Sequence, residues 1–290
     1  ISNHSFQSMA IVSSPSSISN YFSLFAIDES TAKSDPPHLF GGLLDRVYGG
    51  MLLYQTAKAF ITLHPDLVPH YINYNFSAPA NSKLPLQFKL SSDDGTIAKI
   101  IVSQNKKTVG IGHVRYSNVS DFLDSSLSIS PDCEPPERYA SFDLRQLYLL
   151  TTHAGINPTM GAFPIEARPI ENGEIHRTTM WVRITPENHG SLKNTDGLPV
   201  LFFLSDCTMF FAAFKIFERS GIRIDGTASL HHSVRIHEAN LDPFGWYLAD
   251  TECELISHGR ALQRSRIFDA SRKCVLTVVQ EGFLQRENKL

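Results

Sequence analysis

Charge of one sign is scarce in this chain. Its 290 residues carry 26 Lys and Arg against 29 Asp and Glu, a formal net charge of −3. No strong field favours nucleic acid or an anionic membrane, so no nucleic-acid partner is expected. Cysteine is sparse as well. Cys133, Cys207, Cys253 and Cys274 are scattered without a C-x-x-C spacing, which indicates neither a zinc site nor a disulfide framework. Free thiols in a reducing compartment are the expected state. The twelve histidines include no H-E-x-x-H or comparable ligand spacing, so neither a metal nor another cofactor is expected. No G-x-S-x-G elbow presents a serine, and without it His231, His232 and His237 make a poor Ser-His-Asp triad. The leading residues lack a basic n-region, and Ser13, Ser14, Ser16, Ser17 and Ser19 break any apolar core of a secretory signal.

What is present is an ordinary globular composition, 42% hydrophobic and 19% charged, on a length that suits one large domain or two modest ones. The stretch that organises the rest is Leu198 to Phe214, apolar nearly all round and broken by Asp206. Such a helix is buried rather than surface-mounted. Pro199 fits a first helical turn and Gly221 a stop after it. Three readings compete. A membrane span needs about 20 apolar residues without charge, and Asp206 and Lys215 interrupt this run. A core helix could tie the Asp to a neighbouring backbone. A functional carboxylate on a buried helix is the third. Only partners elsewhere in the chain decide among them.

Those partners lie in a repeat. Met51 to Ile61 has helical length and good helix formers, opened by Gly49-Gly50 and ended by Pro65. Strand-like runs follow at His70–Phe76, Leu84–Leu90, Thr96–Gln104 and Thr108–Tyr116. Residues 117–160 are Ser-rich, acidic and Pro-broken, which reads as a connection, with a short helix possible over 138–152. Strands over 164–168 and 178–184 then precede the apolar helix, and runs at 227–236, 246–257, 260–268 and 274–284 follow it. Two helix-then-strands units make an α+β fold of two antiparallel sheets, each wrapped around one long buried helix. The expected boundaries are 1–125 for the first unit, 126–160 for the linker and 161–290 for the second. Residues 21–117 and 160–285 are expected to superpose.

Specific strings carry a resemblance. Arg46-Val47-Tyr48-Gly49-Gly50 opens the first helix and Leu204-Ser205-Asp206 lies on the second. Ser229-Leu230-His231-His232-Ser233 begins a strand, and Val279-Gln280-Glu281-Gly282 falls in the last one. Pro164 to Arg168 and Trp181-Val182-Arg183 are further strings. In that order they resemble the acyl-CoA thioesterase II family, built as a double hotdog, over roughly residues 40 to 285. The resemblance implies hydrolysis of an acyl-CoA thioester by water held between Asp206, Ser229 and Gln280. Ser stands where the family usually has Thr, and the hydroxyl survives. Gly49, Gly50, His232, Gly259 and Arg260 are candidates for substrate or CoA contact, with a packed or strand-end histidine as the other reading of His232; Arg260, Arg264 and Arg266 could meet CoA phosphates or form a solvated strand face.

The first half departs from the family. Met51 replaces a Gln, Asn73 a His and Ala78 an Arg, while His231 replaces the Asp of Asp-His-Ser. The second half is therefore expected to carry the chemistry. Two alternatives stay open: a pathway-specific hotdog enzyme acting on a polyketide-like thioester, and a non-catalytic acyl-CoA-binding protein. A homo-oligomer is possible. Asn288-Lys289-Leu290 resembles a peroxisomal tripeptide, so the chain is expected in the peroxisome or the cytoplasm.

Overall fold

Strict alternation builds most of this fold. In the strand Ile97–Gln104 the residues Ala98, Ile100 and Val102 are fully buried, and the side chains between them are only half covered. That is the period of a sheet with one face on a core. The computed structural model describes residues 22–36, 45–117, 129–142, 165–171, 173–186 and 192–286. The Ser-rich leading segment, much of the expected 126–160 connection, and Asn288-Lys289-Leu290 lie outside the described residues.

The first half runs β1 (Phe25–Asp28), β2 (Thr31–Ser34), α1 (Gly49–Leu63), β3 (Val68–Phe76), β4 (Leu86–Asp93), β5 (Ile97–Gln104) and β6 (Lys107–Ser117). The second runs β7 (Ile165–Ile170), β8 (Arg177–Ile184), α2 (Gly197–Cys207), α3 (Phe211–Arg219), β9 (Ile224–Ile236), β10 (Tyr247–Ser257), β11 (Arg260–Phe268) and β12 (Cys274–Arg286). Among the described residues the strand order is β1-β2-β4-β5-β6-β3-β9-β12-β11-β10-β8-β7, so the two hotdog sheets join edge to edge into one sheet of 12 strands. The seam is the antiparallel pair β3–β9, with Ile72 opposite Val234 and Tyr74 opposite His232. Each half repeats the same order about that seam.

The apolar helices pack against each other inside the curl of the sheet. Gly50 allows the contact: a Cβ there would lie 2.7 Å from the Phe203 carbonyl oxygen and 2.4 Å from the Tyr48 ring. Across the same contact Lys58 of α1 reaches Asp196, just before α2, at 3.0 Å, and also donates to the Phe22 carbonyl at 3.2 Å. Asp196 is 3% exposed, and a buried carboxylate needs such a partner. Neither residue stands out in the sequence. The run Asn194–Arg219 is long and apolar enough by length and composition to cross a membrane, yet 83% of its apolar window is buried inside the fold.

Two expectations are corrected. The helix expected to continue through Phe214 breaks at Thr208–Phe210. Cys207 Sγ and Thr208 Oγ1 each donate to the carbonyl three residues back, and Met209 N bonds Asp206 O. Hydroxyl and thiol donors that bond back in this way tighten and end a turn. The other concerns Tyr21 to Ile27, whose aromatic composition reads as a strand: the strand found is β1 at Phe25–Asp28, and it pairs with β2, too short and polar to be seen in the sequence. β2 is held by β4 and by Ala32, which is fully buried.

Residues 129–142 lie along the outer face of the second half. The Arg272 guanidinium donates to the Cys133 carbonyl at 2.6 Å and stacks 4.8 Å from the Trp181 ring centre. Trp181 Nε1 donates to the Glu134 carbonyl, and Arg168 donates to the Pro136 carbonyl.

Candidate active site

The apolar run that makes α2 places Asp206 in its last turn, 6% exposed. That position is unfavourable for an anion twice over, because burial strips water away and a helix C-terminus is the negative end of its dipole. The N-terminus of α1 answers it. Gly49 has no side chain, and a Cβ there would sit 2.9 Å from Asp206 Oδ2. The Gly50 backbone N–H and the Tyr48 hydroxyl both favour the ionised carboxylate. Burial nonetheless dominates and pushes the Asp206 pKa up to about 6, against the opposing pull of Ser229, Tyr48, Gly50 and Gln280.

Ser229 Oγ donates to Asp206 Oδ1 at 3.0 Å, and Gln280 Nε2 donates to Ser229 Oγ at 3.2 Å. Gln280 Oε1 meets His232 Nδ1, and His232 Nε2 meets Ser205 Oγ at 2.9 Å. Burial lowers His232 to about 4, so the ring is neutral at pH 7. Its Nδ1 faces a carbonyl oxygen and therefore carries the proton, which leaves Nε2 to accept from Ser205. The chain of donors then runs one way, Ser205 to His232 to Gln280 to Ser229 to Asp206. Aligned hydrogen bonds of this kind strengthen one another.

This arrangement depends on a feature the sequence hides. Ser229 and His232 are three residues apart, a spacing that puts side chains on opposite faces of a regular strand. In β9 the register against β12 shifts: His231 faces Glu281 but Ser229 faces Gly282, so Leu230 is an extra residue. The bulge turns Ser229 back to the inner face beside His232. Gly282 accommodates the Phe210 ring, 2.3 Å from where its Cβ would be, and so seats the helix break over the site.

Asp206, Ser229 and Gln280 are thus brought together, with Gly49 and Gly50 of the other half beside them. Tyr48 and Ser205 belong to the same cluster. Both sat inside the strings quoted above, and the sequence assigned neither a role. His232, a candidate for substrate contact, is fully buried and bonds the Gln280 amide oxygen. Gly259 and Arg260 lie elsewhere, in the tight turn between β10 and β11. His258 and Gly259 have φ of 50° and 72°, the left-handed pair a two-residue hairpin turn requires. Arg260 pairs with Glu281 at 3.0 Å, Arg264 with Glu254 at 2.8 Å, and Arg266 with Asp250 at 2.8 Å. Each guanidinium is paired with a carboxylate on a neighbouring strand. Among the described residues no group of three or more His, Cys, Asp or Glu converges as a metal site would.

Fold and cluster define a double-hotdog protein with a buried Asp-Ser-Gln centre. The sequence profile of the acyl-CoA thioesterase C-terminal domain matches residues 136–284, just over half of the chain, and the chain belongs to that family. A search of curated protein sequences returned no match. Among solved structures, an acyl-CoA thioesterase II, TesB2, from Mycobacterium marinum is similar, with 18% identity, a TM-score of 0.69, and 94% of this chain and 100% of that one covered. A hot dog fold protein of unknown function from Alicyclobacillus acidocaldarius gives 16% identity, a TM-score of 0.72, and coverage of 93% and 98%. The dehydratase domain of PpsC from Mycobacterium tuberculosis, in complex with C12:1-CoA, gives 11% identity, a TM-score of 0.56, and coverage of 91% and 99%. At these identities the likeness is one of fold.

Proposed function

We propose that the protein hydrolyses acyl-CoA thioesters to free acid and CoA, using water activated by Asp206. The observation that carries this reading is the Asp206 carboxylate itself, buried and with its pKa raised to about 6. That value leaves it ionised at pH 7 yet basic enough to take a proton, the compromise that suits a general base. Ser229 and Gln280 hold the water beside it. Water oxygen adds to the thioester carbonyl carbon as Asp206 removes a proton. The positive end of α1 at Gly49-Gly50 supplies the field in which the developing oxyanion is stabilised. Collapse breaks the C–S bond, and the proton held on Asp206 passes to the departing thiolate, so no covalent enzyme intermediate is needed.

The test is release of CoA thiol from acyl-CoA by the pure full chain, compared with Asp206→Asn. General-base contributions run about 10²–10⁴-fold, which sets the expected loss. Near-wild-type release by the variant removes Asp206 from the role. Acyl-CoA binding without release by the wild type identifies a binder instead.

A further inference from the structure

Gln263 is a polar side chain in a place that suits an apolar one. It is fully buried on β11, and among the described residues neither its Nε2 nor its Oε1 has a hydrogen-bond partner. An amide stripped of water and left unpaired costs stability that a hydrocarbon side chain of the same size would not.

Its position says what could pair with it. Gln263 stands directly opposite Gln280 across β11 and β12. Directly paired residues share a face, with Cβ atoms about 4.5–5.5 Å apart. The unpaired amide is therefore the immediate neighbour of the amide proposed to hold the hydrolytic water. The polar character continues away from the site along the same inner face. Thr251 Oγ1 donates to Ser265 Oγ at 2.9 Å, and Thr178, opposite Thr251 on β8, is buried with an Oγ1 that has no partner among the described residues. The inner face of the first half is different. There Leu86, Phe88, Ala98, Ile100, Val102 and Val114 are all fully buried and all apolar. The two copies of one architecture thus differ over this patch, and the copy with the polar patch is the one that holds Asp206.

We propose that Gln263 is a specificity-determining residue whose amide receives an oxygen carried by the acyl chain, so that hydroxy- or oxo-acyl thioesters are favoured over plain hydrocarbon ones. The proposal rests on the hydrolase reading. An amide offers two donors and an acceptor, and so it serves a hydroxyl or a carbonyl equally. A site built to hydrogen-bond a substrate oxygen discriminates strongly against the analogue lacking it, because its own polar atoms are then left unpaired.

The experiment compares decanoyl-CoA with its 3-, 5- and 7-hydroxy counterparts, using the full chain and Gln263→Met, which keeps length and loses the amide. At least one hydroxyacyl substrate should exceed decanoyl-CoA in kcat/KM by about tenfold. Gln263→Met should abolish that advantage, hold decanoyl-CoA within about twofold, and melt no lower than wild type. Gln263→Leu repeats the measurement should the Met variant fold poorly. Binding of the corresponding non-hydrolysable alkyl-CoA thioethers, measured by calorimetry, must show the same preference and the same loss. Hydrolysis of all chains without preference, or a preference that survives both substitutions, overturns the proposal and leaves the hydrolase reading standing; an amide that only holds a buried water gives the second of these. Thioether preference lost on substitution, with no hydrolysis of any chain, sinks the hydrolase reading alone. Absence of binding by every analogue sinks both.

Discussion

Replacing Asp206 by Asn separates catalysis from stability, because the two should move in opposite directions. The Asp206 pKa in the fold is about 6 against an ordinary 3.8. A carboxylate whose folded value is raised weakens the fold in its ionised form. The penalty is absent below pH 3.8, where folded and unfolded chains both hold the proton. It grows as pH rises through the window between the two values and stays constant above about 6. At 1.36 kcal/mol per pKa unit the full penalty is about 3 kcal/mol at pH 8. Asparagine keeps the shape and carries no charge, so Asp206→Asn should be more stable than wild type at pH 8 by up to that amount. In a chain of this size that is a rise of several degrees in Tm. Near pH 4 the two proteins should melt together. Turnover per folded molecule should meanwhile fall about 10²–10⁴-fold, and wild-type kcat/KM should rise with pH through an apparent pKa near 6. Thermal melts at pH 4, 6 and 8 and thiol-release rates on the same samples check both. A variant that melts lower than wild type at pH 8 while hydrolysing normally refutes the reasoning: Asp206 would then be a structural carboxylate.

Other outcomes follow from the same geometry. Ser229→Thr retains the hydroxyl that donates to Asp206 and should keep most activity, whereas Ser229→Ala should lose it; steady-state rates on one acyl-CoA decide. Gln280→Ala removes the amide joining Ser229 to His232 and should slow turnover less than Asp206→Asn if it only orients water, a difference read from kcat. Lys58→Met strands Asp196 in the contact between α1 and the start of α2. It should destabilise the protein by about 3–5 kcal/mol, and adding Asp196→Asn should restore much of that in denaturant titrations.

The elements that pattern reveals best were those with one buried face and regular spacing. β5 and β6, and the four long strands of the second half, could be placed within a few residues because apolar side chains alternate along them. α1 and the Asp206 helix could be placed because their apolar stretches have helical length. Asp206, Ser229 and Gln280 were legible through the ordered strings that carry the resemblance, not through chemistry visible at any one of them. What stayed hidden depends on departures from regularity or on contacts distant in sequence. The β9 bulge at Leu230 cancels the parity that separates Ser229 from His232. The helix break after Cys207 comes from side chains bonding backwards, with no Pro or Gly to announce it. Tyr48 and Gly50 acquire their role only because α1 lies against α2. Arg260, Arg264 and Arg266 looked like free cations in the sequence, since nothing local shows which carboxylate each strand pairing delivers to them.

The edge-to-edge seam between β3 and β9 has a consequence for anyone who would work with half of this protein. Cutting the chain at residue 136, where the family match begins, would strip β3 from β9 and bare the β9 edge from His231 to Arg235. Such an unpaired edge is a template for another chain. The fragment would also lose the end of α1 that faces the Asp206 carboxylate. Two fragments could recover the seam by pairing β9 with β9, rebuilding a sheet of the same width from identical halves. Such a dimer would bring two Asp206 helices together with no Gly49-Gly50 terminus between them, so an expression product of the right size and secondary structure would still be the wrong enzyme.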